Sequence, residues 1–152
     1  MEAHDYHINL NWLSDRKGLL SSPELDEAAP GIDTSLEVAT PPDFPKGMPG
    51  IWSPEHLLTA AVSSCLMTTF LAIAENSKLD FVSFTCAAKG TVDTVEGKLI
   101  LSEVELSPVV TIKLEHDRDR ALRIIQKSEA ACLISNSIKS KITMTPSILV
   151  QG

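Results

Sequence analysis

Three cysteines, Cys65, Cys86 and Cys132, are the residues of this sequence best equipped for chemistry. A thiolate is both a nucleophile and a redox centre. The four histidines, His4, His7, His56 and His116, show no ligand spacing, and there is no CxxC pair, so no metal or bound cofactor is expected. Met1–His7 is polar and lacks the apolar stretch of an export signal, so the expected location is the cytoplasm. Thiols stay reduced there, and any disulfide would be transient and redox-active.

Cys65 is surrounded by Ala61, Ser63, Ser64 and Thr69, and Cys132 by Ala130, Ala131 and Ser135. Small neighbours leave room for a second element to approach each sulfur. The two lie far apart along the chain, so only folding could join them. Packing is the competing reading for each, because free cysteine is among the most buried residue types. Composition and spacing leave both readings open. Cys86 falls in an alternating strand pattern and reads as structural.

The elements that must position these residues are partly legible. Residues 7–13 alternate, with Ile8, Leu10 and Trp12 on one side, and predict a half-buried strand. Ser14–Gly18 reads as a turn, 19–22 and 35–39 as short strands, and the proline-rich segment 40–53 as a loop that could gate a site. Ser53 is a good N-cap, Pro54 suits the first helical position and Glu55 favours the positive end of the helix dipole. The helix that follows is expected to reach Asn76 and carries no charge from Leu57 to Ala74. A bilayer span needs ~20 apolar residues, but Thr59, Ser63, Ser64, Thr68 and Thr69 make this segment too polar. It reads as a central helix enclosed on nearly all sides. A chain of 152 residues struggles to enclose it alone, so a homodimer is expected.

Beyond it, 81–92 alternates, Glu96-Gly97 reads as a hairpin turn, and 98–114 as a long strand region interrupted at Pro108. Asp117 is placed to cap a second amphipathic helix with Ala121, Ile124, Ile125, Ser128 and Cys132 on one side. Residues 142–150 read as a last strand, with Pro146 marking an edge or a bulge. There is no repeat and no linker, so 1–152 is read as one α+β domain. With 43% hydrophobic and 22% charged residues the composition is globular. A net charge of −7 without a basic cluster argues against nucleic acid and anionic membranes as partners.

The run Ser53-Pro54-Glu55-His56-Leu57-Leu58, the segment Ala61-Val62-Ser63-Ser64-Cys65 and the later Ala131-Cys132-Leu133-Ile134-Ser135-Asn136 together resemble the family of osmotically inducible protein C and the organic hydroperoxide resistance proteins (OsmC/Ohr). The resemblance implies antiparallel sheets wrapped around a long buried helix in an intertwined homodimer, with two active sites at the subunit interface. It implies a thiol peroxidase that reduces organic hydroperoxides, with hydrogen peroxide as a further substrate, using a dithiol reductant such as a dihydrolipoyl group. Cys65 then matches the peroxidatic cysteine, which becomes a sulfenic acid, and Cys132 the resolving cysteine, which condenses with it to a disulfide. Arg16, in the turn Ser14-Asp15-Arg16-Lys17-Gly18, matches the catalytic arginine, and Glu55 the acid that orients it. A desolvated thiol resists ionisation, so a fixed cation nearby is expected. Arg supplies one that keeps its proton and could donate to the peroxide oxygens.

One departure stands out. The family pattern has proline directly after the second cysteine, and this chain has Leu133. That difference keeps a non-enzymatic alternative open, in which the fold binds an apolar ligand or senses redox state.

Overall fold

Two tight turns set the framework. A computed structural model describes residues 1–152, and the chain divides into two compact units, Met1–Leu57 and Leu58–Gly152. In the first unit, Asp15 (φ 48°) turns β1 (Asn9–Ser14) back onto β2 (Lys17–Ser21), and β3 (Leu36–Ala39) adds to β2, all antiparallel in the order β1-β2-β3. These strands match the predicted ones to within about two residues. A short helix, α1 (Pro23–Ala28), was not predicted. Pro23 and the first-turn acids Glu24 and Asp26 favour it locally. The Ser22 hydroxyl donates to Glu24 at 2.6 Å and, with His7, holds that carboxyl well below its usual range.

The alternation of β1 is present, but the expectation of half-burial fails. All six residues of β1 are exposed, Trp12 at 76%. The apolar side of the strand has no cover within the chain.

The second unit is built on a long hairpin. β4 (Phe81–Val95) and β5 (Lys98–Ile112) run antiparallel through the turn at Glu96 (φ 50°) and Gly97 (φ 76°). The backbone is left-handed at both turn residues, which is the two-residue turn that suits the twist of a hairpin. β5 is not interrupted at Pro108, contrary to the sequence reading. On its other side β6 (Lys141–Met144) pairs with Glu103–Leu106 and β7 (Ser147–Val150) with Val109–Ile112, both parallel. Pro108 therefore sits opposite the break between β6 and β7, beyond the β6 pairing and short of β7's. The expected single last strand is thus two, broken at Thr145-Pro146.

Helix α2 (Pro54–Asn76) begins where predicted: the Ser53 hydroxyl accepts the His56 N–H at 3.1 Å. His56 Nδ1 in turn meets the Ser53 N–H and hydroxyl, closing a reciprocal cap of the capping-box kind. Enclosure on nearly all sides does not hold within one chain. Val62, Leu66, Phe70 and Ala74 form a single buried stripe at four-residue spacing, and Met67 and Leu71 are exposed. That stripe is the one side of α2 buried within the chain. The stripe packs with Val104, Leu106, Val110 and Ile112 of β5 and with Ala121, Ile124 and Ile125 of α3 (Arg118–Ala130). Phe70 meets Phe81 and Phe84, each at 5.1 Å between ring centroids. At Gly90 a β-carbon would lie 2.2 Å from the Thr59 hydroxyl, so β4 approaches α2 as closely as only glycine permits. Asp117 precedes α3 but does not cap it; its carboxylate pairs with Arg120 at 3.2 Å.

Candidate active site

The small residues around Cys65 let another segment reach its sulfur, and that segment is the turn that follows α3. α3 ends at Ala130, with Cys132 two residues beyond it and wholly buried. No glycine or proline stops this helix. Its last carbonyl is met instead from the following turn, where Asn136 Nδ2 donates to the Ala130 carbonyl at 3.2 Å, and within that turn the Ser137 hydroxyl donates to the Leu133 carbonyl at 2.7 Å. The Cys132 N–H closes on the Glu129 carbonyl and the Asn136 N–H on the Cys132 carbonyl, each at 3.1 Å. Residues 130–137 are thereby tied into a fixed shape.

Cys65 and Cys132 are brought close enough to bias each other's ionisation. The Thr69 hydroxyl lies 4.0 Å from the half-buried Cys65 sulfur, and the Ile134 N–H, the Cys132 thiol, Thr69 and the Leu133 N–H all favour its ionised form. Burial works to raise the Cys65 pKa, but these hydrogen bonds outweigh it and hold the thiol below its ordinary value. Cys132 moves the opposite way. Burial pushes it up, the nearby Ser135 offsets part of that, and the neighbouring Cys65 raises it further. The pair is therefore polarised: Cys65 ionises first, and Cys132 keeps its proton and gives it as a hydrogen bond. The thiol pair and its donors all belong to the second unit.

Cys86, on β4, packs against the core, and burial raises its pKa. Arg16 occupies the β1–β2 turn with its side chain exposed and its carbonyl accepting the Thr40 N–H at 3.3 Å. Glu55 is half-buried in the first turn of α2. Both lie in the first unit. Sequence reasoning missed the amide donors altogether. The only written signal of them is that residue 133 is not proline, so its N–H exists.

Comparison with known proteins gives one consistent answer. The chain is 23% identical over 150 residues to a Bacillus subtilis (strain 168) protein, uncharacterized protein YmaD, covering 95% of this chain and 93% of that one. An OsmC-like protein of unknown function from Vibrio cholerae superposes with a TM-score of 0.81 at 19% identity, covering 95% of this chain and 99% of that one. An organic hydroperoxide resistance protein OsmC from Legionella pneumophila gives 0.70 at 17% identity, covering 99% and 100%. One from Elizabethkingia anophelis gives 0.69 at 21%, covering 99% of each. These structures share the fold, and the OsmC family pattern itself, described as OsmC-like protein, matches residues 47–147: the chain belongs to the OsmC-like family.

Proposed function

We propose that this protein is a dithiol-dependent hydroperoxide reductase of the cytoplasm, acting mainly on organic hydroperoxides. What carries the reading is the polarised thiol pair, one sulfur lowered and the other raised, each biasing the other. The hydroperoxide resistance proteins among its structural relatives support the choice of substrate.

In the first step the Cys65 thiolate attacks the distal oxygen of ROOH. The O–O bond breaks, RO⁻ leaves and takes a proton to become ROH, and Cys65 becomes a sulfenic acid. The Cys132 thiol then attacks that sulfur, expelling water and forming the Cys65–Cys132 disulfide. An external dithiol reduces the disulfide by two exchanges and leaves as its own cyclic disulfide. Arg16 supplies the cation that favours negative charge on the peroxide oxygens, and Glu55 holds its guanidinium fork, as the family resemblance implies. Leu133, 67% exposed beside the buried Cys132, adds an apolar border suited to an alkyl peroxide.

The working form is a homodimer. The open apolar side of α2 at Met67 and Leu71, and separately that of β1 at Leu10 and Trp12, are surfaces a second copy would cover.

Turnover of cumene hydroperoxide with dihydrolipoamide tests the reading. Cys65→Ser is expected to reduce consumption to the uncatalysed background. Cys132→Ser is expected to stop at a sulfenic acid that dimedone traps. Unchanged consumption by Cys65→Ser would return the protein to the non-enzymatic alternative.

A further inference from the structure

Hydroxyls in the helical turns of this chain give their protons to carbonyls three or four residues back. Ser63 and Ser64 donate to Ala60, Thr68 to Cys65, Ser128 to Ile124 and Ser137 to Leu133, at 2.7–3.1 Å. Ser135 shares a 3-10 turn with Ser137, yet its Oγ is closed off from solvent and makes no hydrogen bond. A buried hydroxyl without a partner is costly and rare. The main chain sets its place. The Asn136 N–H closes on the Cys132 carbonyl at 3.1 Å, a helical turn that carries residue 135 to the same side as residue 132. Cys132 is wholly buried there, and Ser135 is near enough to ease its ionisation. The hydroxyl has a proton to give, and the group beside it is a sulfur.

We infer that the Ser135 hydroxyl is the donor held for the Cys132 sulfur whenever that sulfur carries negative charge, and so serves the closing and reopening of the disulfide. The inference rests on the proposed dithiol cycle. In closing, Cys132 gives its proton to the departing hydroxide as its sulfur bonds to Cys65, and water leaves. In reopening, Cys65 is the half-buried sulfur and Cys132 the enclosed one, so the reductant's thiolate attacks Cys65. The S–S bond breaks and its electron pair leaves on Cys132. A thiolate shut away from solvent needs a donor, and Ser135 supplies it until the reductant's second thiol gives up its proton to Cys132. That second sulfur then attacks the first, freeing Cys65 as the thiolate and closing the reductant's own disulfide.

The test reads the Cys132 thiol apart from peroxide turnover. Cys65 on α2 is the titratable group that acts on Cys132, so a Cys65→Ala, Cys86→Ala background leaves Cys132 to titrate alone. Its ¹³C-labelled β-carbon shift is followed against pH with and without Ser135→Ala. The substitution is expected to raise the midpoint, lowering the ionisation constant roughly fivefold. Equal midpoints would overturn the inference. A purely structural hydroxyl is separated by stability: Ser135→Ala removes a group with no bond in the resting protein, so the urea midpoint of the reduced protein at pH 7 is expected to hold or rise. A fall there, or failure to fold, would equally overturn the inference. In the protein with all three cysteines, Ser135→Ala is expected to prolong the dimedone-trapped sulfenic acid roughly fivefold, and an equal lifetime would overturn the role in closing. If the Cys132 midpoint moves and the unmodified protein consumes no peroxide, the donor stands and the reductase reading falls.

Discussion

Cys65 on α2 and Cys86 on β4 belong to the same unit, and both are half-buried, yet they are driven in opposite directions. Burial raises both. Cys86 gains a single compensating amide, that of Ser107, and ends above its ordinary pKa. Cys65 gains two amides, a hydroxyl and a thiol, and ends below it. Burial acts on both in the same direction, so the difference between them comes from the groups around each sulfur. A regular strand has already committed its amides to neighbouring strands, so Cys86 finds few to spare. The turn after α3 has amides left over, and Cys65 receives them.

The largest effect should separate the two residues outright. Cys65→Ser abolishes peroxide consumption while Cys86→Ser preserves it, and a Cys86→Ser enzyme that lost turnover would break the contrast. The pH dependence comes next, and its sign differs for the two sulfurs. Cys65 has a lowered folded pKa, so its stability contribution is present above the ordinary thiol value of ~8.5 and is lost as pH falls through the folded value. Cys86 has a raised folded pKa, so it costs stability as pH rises past that ordinary value, and Cys132 adds to the same loss. Denaturant midpoints between pH 8 and 10 should accordingly fall less steeply in Cys86→Ala than in the unmodified protein.

Gly90 joins the two regions physically, since it lets the strand of Cys86 approach the helix of Cys65. Gly90→Ala is expected to cost about 1–3 kcal/mol in urea unfolding, the usual penalty for overpacking. The smallest effect belongs to one donor among four. Thr69→Val should slow Cys65 alkylation at pH 7 by roughly threefold, the scale of one modest hydrogen bond. An unchanged alkylation rate would remove the Thr69 hydroxyl from the groups that lower the Cys65 pKa.

Much of this was written in the sequence, wherever a residue type carries its own conformational instruction. Ser53-Pro54-Glu55 announces the start of α2, and Glu96-Gly97 the β4–β5 hairpin. Pro108 misled because the effect of a proline in a strand depends on its neighbour, and the neighbour here has a gap at that point. The alternation of β1 was legible, but not what should cover it, because a pattern records an apolar face without recording its partner. The helix α1 is a turn and a half long and leaves too little periodicity to read. Of the candidate site, Cys65 and Cys132 stand out in the sequence through their flanking motifs. The expectation that a cation must stabilise Cys65 overlooked peptide N–H groups, which have no letter of their own in a sequence.

That reliance on the peptide backbone carries a consequence for ionic strength. At 1 M salt the Debye length shrinks to about 3 Å, and mobile ions screen a solvent-facing guanidinium such as that of Arg16. Amide dipoles locked within a folded turn are far less open to such screening. Cys65 should keep the donor-given share of its acidity in brine as in dilute buffer, and only the share owed to side-chain charge should fade.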